Sequence, residues 1–130
     1  MDALLVLKDA AQKFAETDEA RFQEALSQYP ASVARPSVPE SARRFEVQAE
    51  AAVSDTDFGA AADLYEQALE IVPWWPADHF NLALVLGELD DAPEAIVEMK
   101  RYLALAPNAP NARAAQDKIY DWQRKLPSGS

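Results

Sequence analysis

The chain repeats part of its own sequence at an interval of 34 residues. Between residues 41–73 and residues 75–107, five pairs of identical residues are separated by this interval: Ala49 and Ala83, Asp57 and Asp91, Ala61 and Ala95, Leu69 and Leu103, and Pro73 and Pro107. Self-similarity at a fixed period of about 20 to 50 residues is typical of proteins that stack one small unit after another. The chain is therefore predicted to contain two similar units whose apolar faces cover each other.

Each unit is predicted to be a pair of helices. Glycine occurs three times in 130 residues, alanine is abundant, and no segment alternates with a period of two, so no strand is predicted. The segments SVPE at 37–40 and DAPE at 91–94 place a capping oxygen three residues before a glutamate, with proline inside the first turn. Pro73 and Pro107 are expected to end the second helix of each unit.

Small and apolar residues recur in both units. They are Ala49, Ala61, Tyr65, Ala68 and Pro73 in the first unit, and Leu82, Ala83, Ala95, Met99 and Pro107 in the second. Together with the 34-residue spacing, this pattern resembles the tetratricopeptide repeat (TPR) family over residues 41–107 and into a closing helix at 110–126. Gln48, Ala52 and Tyr102 depart from the family's pattern, so the copies are divergent.

The resemblance implies an all-α fold, an α-helical solenoid of antiparallel helix hairpins with a C-terminal capping helix. Residues 39–75 would form the first repeat, residues 76–107 the second, and residues 108–127 the capping helix. A repeat array needs such a cap to shield its last apolar surface. The apolar stripe of the predicted cap comprises Ala112, Ala115, Ile119, Trp122 and Leu126.

Residues 1–29 are interpreted as an N-terminal helical hairpin and a degenerate repeat. They carry two short apolar stripes, Leu4, Leu7, Ala11 and Phe14, then Phe22, Ala25, Leu26 and Tyr29. Pro30, Pro36 and Pro39 disfavour helix in the residues before them, so residues 30–38 are predicted to be an extended connector.

The net charge of −10 is distributed unevenly. Residues 1–99 carry 20 acidic and 6 basic residues, whereas residues 100–130 carry 2 acidic and 6 basic residues. Binding to phosphate backbones requires clustered Lys and Arg, so no nucleic-acid partner is predicted. The acidic body favours basic or neutral partners, although charges that only keep a domain soluble give the same composition.

Targeting signals are absent from the N-terminal residues. The aliphatic run Leu4-Leu5-Val6-Leu7 is far shorter than the roughly 20 apolar residues of a bilayer span, so no membrane insertion is predicted. Asp2 replaces the basic start of a secretory signal. Cysteine is absent, which excludes thiolate chemistry and fits a reducing cytoplasm. A cytoplasmic location is predicted, with the periplasm or a place within a larger protein as alternatives.

Catalytic motifs are not found. No glycine-rich phosphate loop occurs, and His79 is the single histidine, so neither a histidine metal site nor a Ser-His relay is predicted. His79 is expected to pack between helices. The carboxylates of Asp55, Asp57, Asp90 and Asp91 are expected to cap helix ends. The chain is therefore predicted to be no enzyme and to bind no cofactor or metal ion.

In TPR proteins the first helix of each unit lines a concave groove that holds an extended peptide or a partner helix. Carried over to this chain, that groove would be lined by Arg43, Glu46, Glu50, Phe80, Asn81, Leu84, Glu88, Asn111 and Lys118. Asn81 matches the family's groove asparagine, which bonds the ligand backbone; a solvated helix residue is the alternative.

The family's basic clamp for a C-terminal carboxylate is missing. Glu46 and Glu50 occupy the first helix, and Asn111 and Ala115 the third, where that clamp needs basic residues. An acidic groove would instead prefer a basic or amphipathic peptide. The favoured function is a non-catalytic protein-interaction module, a scaffold or adaptor.

The segment PWWP at 73–76 lies at the junction between the two units. Tryptophan is common both in helix packing and among residues that dominate binding, so Trp74 and Trp75 are either packed or form an aromatic hook for a partner. The alternative functions are a homo-oligomerisation domain that uses this pair or an end helix, and an accessory domain of a larger protein.

Overall fold

The structure is a computed structural model that describes residues 18–127, which form six helices and the turns between them. Residues 18–28 belong to helix α1. The other helices are α2 (Glu40–Ser54), α3 (Phe58–Ile71), α4 (Pro76–Glu88), α5 (Ala92–Leu105) and α6 (Ala112–Arg124). From α2 onward each helix packs against the next. Residues 18–127 contain no strand, so the all-α prediction is confirmed for them; the predicted stripe at residues 4–14 lies outside the described residues.

The turns after α2 and α4 have the same backbone geometry. Thr56 and Asp90, which are 34 residues apart, both adopt a left-handed conformation, with φ of 57° and 60°. The N–H of Asp57 donates to the carbonyl of Ala52 at 2.8 Å, and the N–H of Asp91 donates to that of Leu86 at 2.9 Å. Both helices thus end in a Schellman motif, in which a residue beyond the helix satisfies a carbonyl of its last turn. The sequence repeat is also a repeat of backbone structure.

Two of the four aspartates predicted to cap helix ends do so, whereas Asp55 and Asp90 lie in the turns after α2 and α4. The side chains of Asp57 and Asp91 cap α3 and α5 by accepting from the N–H groups three residues later. Helix α3 ends at Ile71 and α5 at Leu105, each two residues before the predicted terminating proline. The predicted Asp91 cap and both proline stops are confirmed.

The predicted cap at Ser37 is wrong. Helix α2 begins at Glu40, and its N-cap residue is Pro39, in an extended conformation and without a side-chain cap. The corresponding proline in α5 lies inside the first turn. Both prolines follow a residue that they bias toward extended backbone, but that residue is the β-branched Val38 before α2 and Ala92 in α5. The β-branched side chain adds to the preference for extended backbone at Val38.

Four alanines are fully buried in the paired helices. Ala49 of α2, Ala61 of α3, Ala83 of α4 and Ala95 of α5 all belong to one core cluster. A methyl side chain adds little bulk, so two helix backbones can approach each other at such a residue at the packing density of a protein interior. This burial is what the predicted close helix contacts require.

Helix α6 packs closely against α4 as well as α5. Ala115, Ile119 and Trp122 are buried, as the predicted apolar stripe requires. A Cβ atom placed on Gly87 would lie 2.9 Å from the Trp122 ring, so the absence of a side chain at Gly87 lets the indole approach α4.

Helix α1 lies against α3, α4 and α5. The buried ring of Phe22 lies 5.3 Å from the His79 ring and 5.2 Å from the Arg101 guanidinium carbon. Arg21 donates to the carbonyl of Glu70, near the end of α3, at 3.2 Å. These contacts place the described part of the N-terminal segment across three helices of the two units.

An ionic network centred on Arg101 holds α1 in this position. The guanidinium donates to Glu98 at 2.8 Å, to Asp18 at 2.9 Å and to Glu19 at 2.7 Å. Arg101 and Glu98 are buried, whereas Asp18 and Glu19 are about half exposed. The outer pairs therefore contribute little stability by themselves, while removing one partner of the buried pair would leave an uncompensated charge.

We expect the substitution Ala95→Leu to destabilise the protein by about 1 to 3 kcal/mol, because three added carbon atoms have no space between α4 and α5. Ala104→Leu provides the matched control, since Ala104 is an exposed residue of the same helix. Urea denaturation would measure both variants. Equal stability of the two would contradict the close packing at Ala95.

We expect Thr56→Gly to raise the free energy of unfolding by about 1 kcal/mol, because a β-branched residue is strained at positive φ and glycine is not. Ser54→Gly, at the exposed last residue of α2, should instead lower it by about 0.5 to 1 kcal/mol. Thermal unfolding measures both variants: the melting temperature should rise in Thr56→Gly and fall in Ser54→Gly. A lower melting temperature for Thr56→Gly would refute the strain at this turn.

Candidate functional site

A buried carboxyl group lies at the contact between α4 and α2. Asp78, in the first turn of α4, is 1% exposed, and its Oδ2 meets no hydrogen-bond donor among the described residues. The carboxyl groups of Glu46 and Glu50, both on α2, are near enough to Asp78 to act on its pKa.

The surroundings of Asp78 favour its protonated form. Burial raises the pKa of Asp78 to about 9, and the hydrogen bond with Glu46 and the negative charges of Glu46 and Glu50 act in the same direction. Tyr65 of α3 faces the same group: burial, followed by the charges of Glu50, Asp78 and Glu46, raises the pKa of its phenol to about 12. The described residues around Asp78 thus supply negative charge and no cation.

An open aromatic pocket of about 440 Å³ lies beside the start of α4. Its walls are Trp75, Pro76, Ala77, Phe80, Asn81, Tyr102, Ala106 and Arg35. The Phe80 and Tyr102 rings lie 5.0 Å apart, and Trp75 and Phe80 are only half buried. The pocket therefore presents partly exposed aromatic surface to solvent.

Arg35 is the single charged residue among the described walls of this pocket. Its guanidinium donates to the carbonyl oxygens of Tyr29 at 2.9 Å and Leu105 at 2.6 Å. Partial burial lowers the pKa of Arg35 from its usual value. These two bonds attach the connector to the end of α5, so Arg35 is positioned by the fold itself.

A second pocket lies between the C-terminal ends of α2, α4 and α6. Leu84, Glu88 and Lys118, all predicted groove residues, contribute to its walls. Its other described walls are Val53, Phe58, Val85, Gly87, Asp121, Trp122 and Lys125. Acidic and basic side chains therefore surround the apolar residues of this pocket.

The predicted groove residues of α2, α4 and α6 lie at several positions on these three helices. Phe80 and Asn81 line the aromatic pocket, and Glu46 and Glu50 lie at the Asp78 carboxyl. Arg43 is further away, in a shallow depression along α2. We call the surface formed by Glu46, Glu50, Phe80, Asn81, Leu84, Glu88 and Lys118 the α2–α4–α6 face.

Asn111 has an intramolecular partner. Its side-chain oxygen accepts a hydrogen bond from the Tyr102 hydroxyl, which fixes the start of α6 against α5. The tyrosine that departs from the family's pattern is therefore bonded to a predicted groove residue.

The two tryptophans have different surroundings. The Trp74 ring lies 4.8 Å from the Tyr29 ring, at the end of α1, whereas Trp75 lines the aromatic pocket. Trp74 thus packs within the chain, and Trp75 is the member of the pair that is placed beside open space.

His79 is also buried, about 100° around the axis of α4 from Asp78, and both of its ring nitrogens lie close to oxygen atoms. Nε2 lies 2.8 Å from the carbonyl oxygen of Pro73, and Nδ1 lies 2.7 Å from Glu98 Oε2. A carbonyl only accepts, so Nε2 carries a hydrogen in this arrangement. The imidazole links α4, α5 and the turn before α4, as expected of a packed histidine.

Sequence reasoning missed Asp78 and Arg35. Asp78 lies four residues before Leu82 and seven before Val85, both buried, so it occupies a position of the apolar stripe of α4. This helical spacing could have shown that Asp78 is buried. No sequence pattern indicates the role of Arg35, because its partner Leu105 is 70 residues away in the chain.

Within residues 18–127, no group of three or more His, Cys, Asp or Glu side chains is arranged to hold a metal ion. The helices in this part of the chain are too short or too polar to cross a membrane. No protein-family model matches the sequence, and no curated protein is significantly similar to it.

We expect Asp78→Asn to stabilise the protein at neutral pH and to flatten its pH dependence. The folded protein keeps the Asp78 proton up to about pH 9, whereas the unfolded chain loses it above about pH 3.8. Between these values the folded state binds more protons, so this group lowers the free energy of unfolding as pH rises, by up to about 1.4 kcal/mol per pH unit.

Urea unfolding at several pH values between about 5 and 8 measures this slope. Asp63→Asn is the matched control, because Asp63 is exposed on α3. Parallel pH profiles for the wild type and Asp78→Asn would contradict a protonated Asp78.

Proposed function

We propose that this protein is a non-catalytic interaction module whose α2–α4–α6 face binds a peptide or partner helix. The observation that carries the proposal is the open aromatic pocket, since partly exposed aromatic rings beside a hydrogen-bonding amide are typical of interface anchor sites. The fold we propose for it is a small α-helical solenoid of TPR type with α6 as the capping helix. The 34-residue recurrence of turns and buried alanines supports that architecture.

The aromatic pocket supplies the apolar part of the recognition. Trp75, Phe80 and Tyr102 offer ring surface to an apolar side chain, and each aromatic contact buries a large area at low entropic cost. The Asn81 side chain lies at the same pocket and can bond the backbone of an extended ligand. A ligand anchored here would need one apolar side chain as its central contact.

Acidic residues supply the polar part. Glu46, Glu50 and Glu88 lie on α2 and α4, and the chain as a whole carries a charge of −10. Charge complementarity favours a ligand with lysine or arginine beside its apolar anchor. An exposed charge contributes only about 0.2 to 1 kcal/mol, so the aromatic pocket must provide most of the affinity.

Self-association is the second candidate function, because Tyr120 of the last helix, α6, and Val47 of α2 are large apolar residues with exposed side chains. Analytical ultracentrifugation of the full chain at micromolar concentration tests it. A monomer at all concentrations would contradict it.

Selection from a random peptide library displayed on phage, followed by titration of the selected peptide, tests the proposed function. Phe80→Ala is expected to weaken binding by about thirtyfold, because hot-spot truncations cost about 2 kcal/mol or more. Glu88→Gln is expected to change affinity by less than about fivefold and mainly to reduce the salt dependence of the on-rate.

Tyr120→Ala is the matched control, since Tyr120 is an exposed aromatic residue of α6 outside both pockets. Selection of no peptide would refute the proposed function. Equal losses for Phe80→Ala and Tyr120→Ala would refute the aromatic anchor. Loss of binding in Trp74→Ala alone would place the working surface at the junction between the units.

A further inference from the structure

The aromatic pocket has a cation in its wall that the described residues leave without an anionic partner. The Arg35 guanidinium donates to the carbonyl oxygens of Tyr29 and Leu105, which are both neutral acceptors. The ion pairs found within residues 18–127 do not include Arg35. A guanidinium has more N–H donors than these two bonds use. Arg35 therefore retains both its charge and some donor capacity for a ligand.

The contacts of Arg35 within the fold do not explain its charge. Two bonds to carbonyl oxygens require a donor, and a neutral amide side chain is a donor too. Arg35 is half buried, and burying a charge is unfavourable unless the charge has a partner. The lowered pKa of Arg35 has the same cause, since partial burial removes water from the guanidinium. A carboxylate at the pocket would supply the missing partner.

We propose that the aromatic pocket holds an apolar side chain of the bound peptide together with the carboxylate of an adjacent Asp or Glu, which pairs with Arg35. The inference rests on the proposed function and specifies the ligand: an acidic residue lies beside the apolar anchor, and basic residues lie farther along, toward Glu46 and Glu88. Because the pocket is open to solvent, the peptide backbone can continue past it, so the anion is a side-chain carboxylate.

The other described walls of the pocket do not oppose an anion. They are aromatic, aliphatic or, at Asn81, a neutral amide. Trp75, the N-cap of α4, makes no side-chain cap, so the positive end of the α4 dipole acts in the same direction as Arg35. The acid of this first turn, Asp78, is buried and favours its protonated form. A guanidinium binds a carboxylate through two parallel hydrogen bonds, which also fixes the orientation of the ligand.

The net charge of the chain makes the inference easy to distinguish from general electrostatic attraction. A protein with a charge of −10 repels an acidic peptide more than its neutral amide analogue. Pairing with Arg35 has the opposite effect on this comparison. A preference for the acidic peptide would therefore come from the pocket itself.

The test uses the full chain and two peptides, Ac-Glu-Phe-Ala-NH₂ and its neutral analogue Ac-Gln-Phe-Ala-NH₂. Each is titrated by NMR at neutral pH to about 10 mM, which would occupy about 90% of a site of 1 mM affinity. The Glu peptide is expected to bind about three- to tenfold more tightly. Both peptides should shift the signals of Trp75 and Phe80, and only the Glu peptide should shift the Arg35 Nε–H signal.

Three variants complete the test. Arg35→Gln is expected to reverse the preference, because only the repulsion by the net charge remains. Arg35→Lys keeps the charge without the planar fork and should keep part of the preference. Arg124→Gln removes the same charge from the exposed last turn of α6 and should leave the preference intact.

Equal or weaker binding of the Glu peptide to the wild type overturns the inference, and if the Gln peptide still shifts Trp75 and Phe80, the proposed groove stands without it. No shift of these residues with either peptide contradicts both. Equal loss of the two peptides in Arg35→Gln also overturns the inference, because Arg35 would then only shape the pocket. Tighter binding of Ac-Gln-Phe-OH than of the Glu peptide would replace the side-chain carboxylate by a free C-terminus.

Discussion

The first turn of α4 buries two ionisable side chains that are adjacent in the sequence, and the surrounding helices are arranged around them. Asp78 is directed toward α2, and His79 toward α5 and the turn after α3. Burying such groups is unfavourable unless each finds a partner, so α4 could not occupy the centre of the fold without polar groups on both sides. The two sides meet this requirement to different degrees.

On the His79 side each buried ionisable side chain has a charged or carbonyl partner, although the Nε of Arg101 has none among the described residues. The imidazole bonds Glu98, Glu98 bonds Arg101, and Arg101 continues to two acids on α1. The Phe22 ring covers the inner part of this network. This arrangement joins α1 to helices far away in sequence, and its role is structural. On the Asp78 side the neighbouring group is another acid, which favours the protonated form of Asp78, and the Asp78 Oδ2 has no hydrogen-bond partner among the described residues.

Much of the helical framework could be predicted from the sequence because it depends on local signals. The 34-residue interval, the capping aspartates and the terminating prolines each act within one or two turns of a helix. The cap at Ser37 failed because the steric preference of Val38 before Pro39 outweighed the capping pattern. The position of α1 could not be predicted, because it depends on Arg101 bonding residues 82 and 83 positions away.

The candidate site could be predicted only in part for the same reason. Phe80 and Asn81 follow from helix spacing and the family resemblance, whereas the pocket around them also needs Arg35 and Tyr102, which tertiary contacts bring there. The described structure separates the roles of Trp74 and Trp75 through one ring contact with Tyr29. The carboxyl of Asp78 looks like an ordinary helix-start acid in sequence, and only its burial distinguishes it.

The proposed function requires that a ligand covers the α2–α4–α6 face and leaves the α1 side untouched. Amide chemical-shift mapping of the ¹⁵N-labelled full chain, titrated with a library-selected peptide, tests this most directly. The largest changes are expected on residues 46–50, 75–84 and 118–122, with little change in residues 18–28. Changes concentrated on α1, α3 and α5 would contradict it.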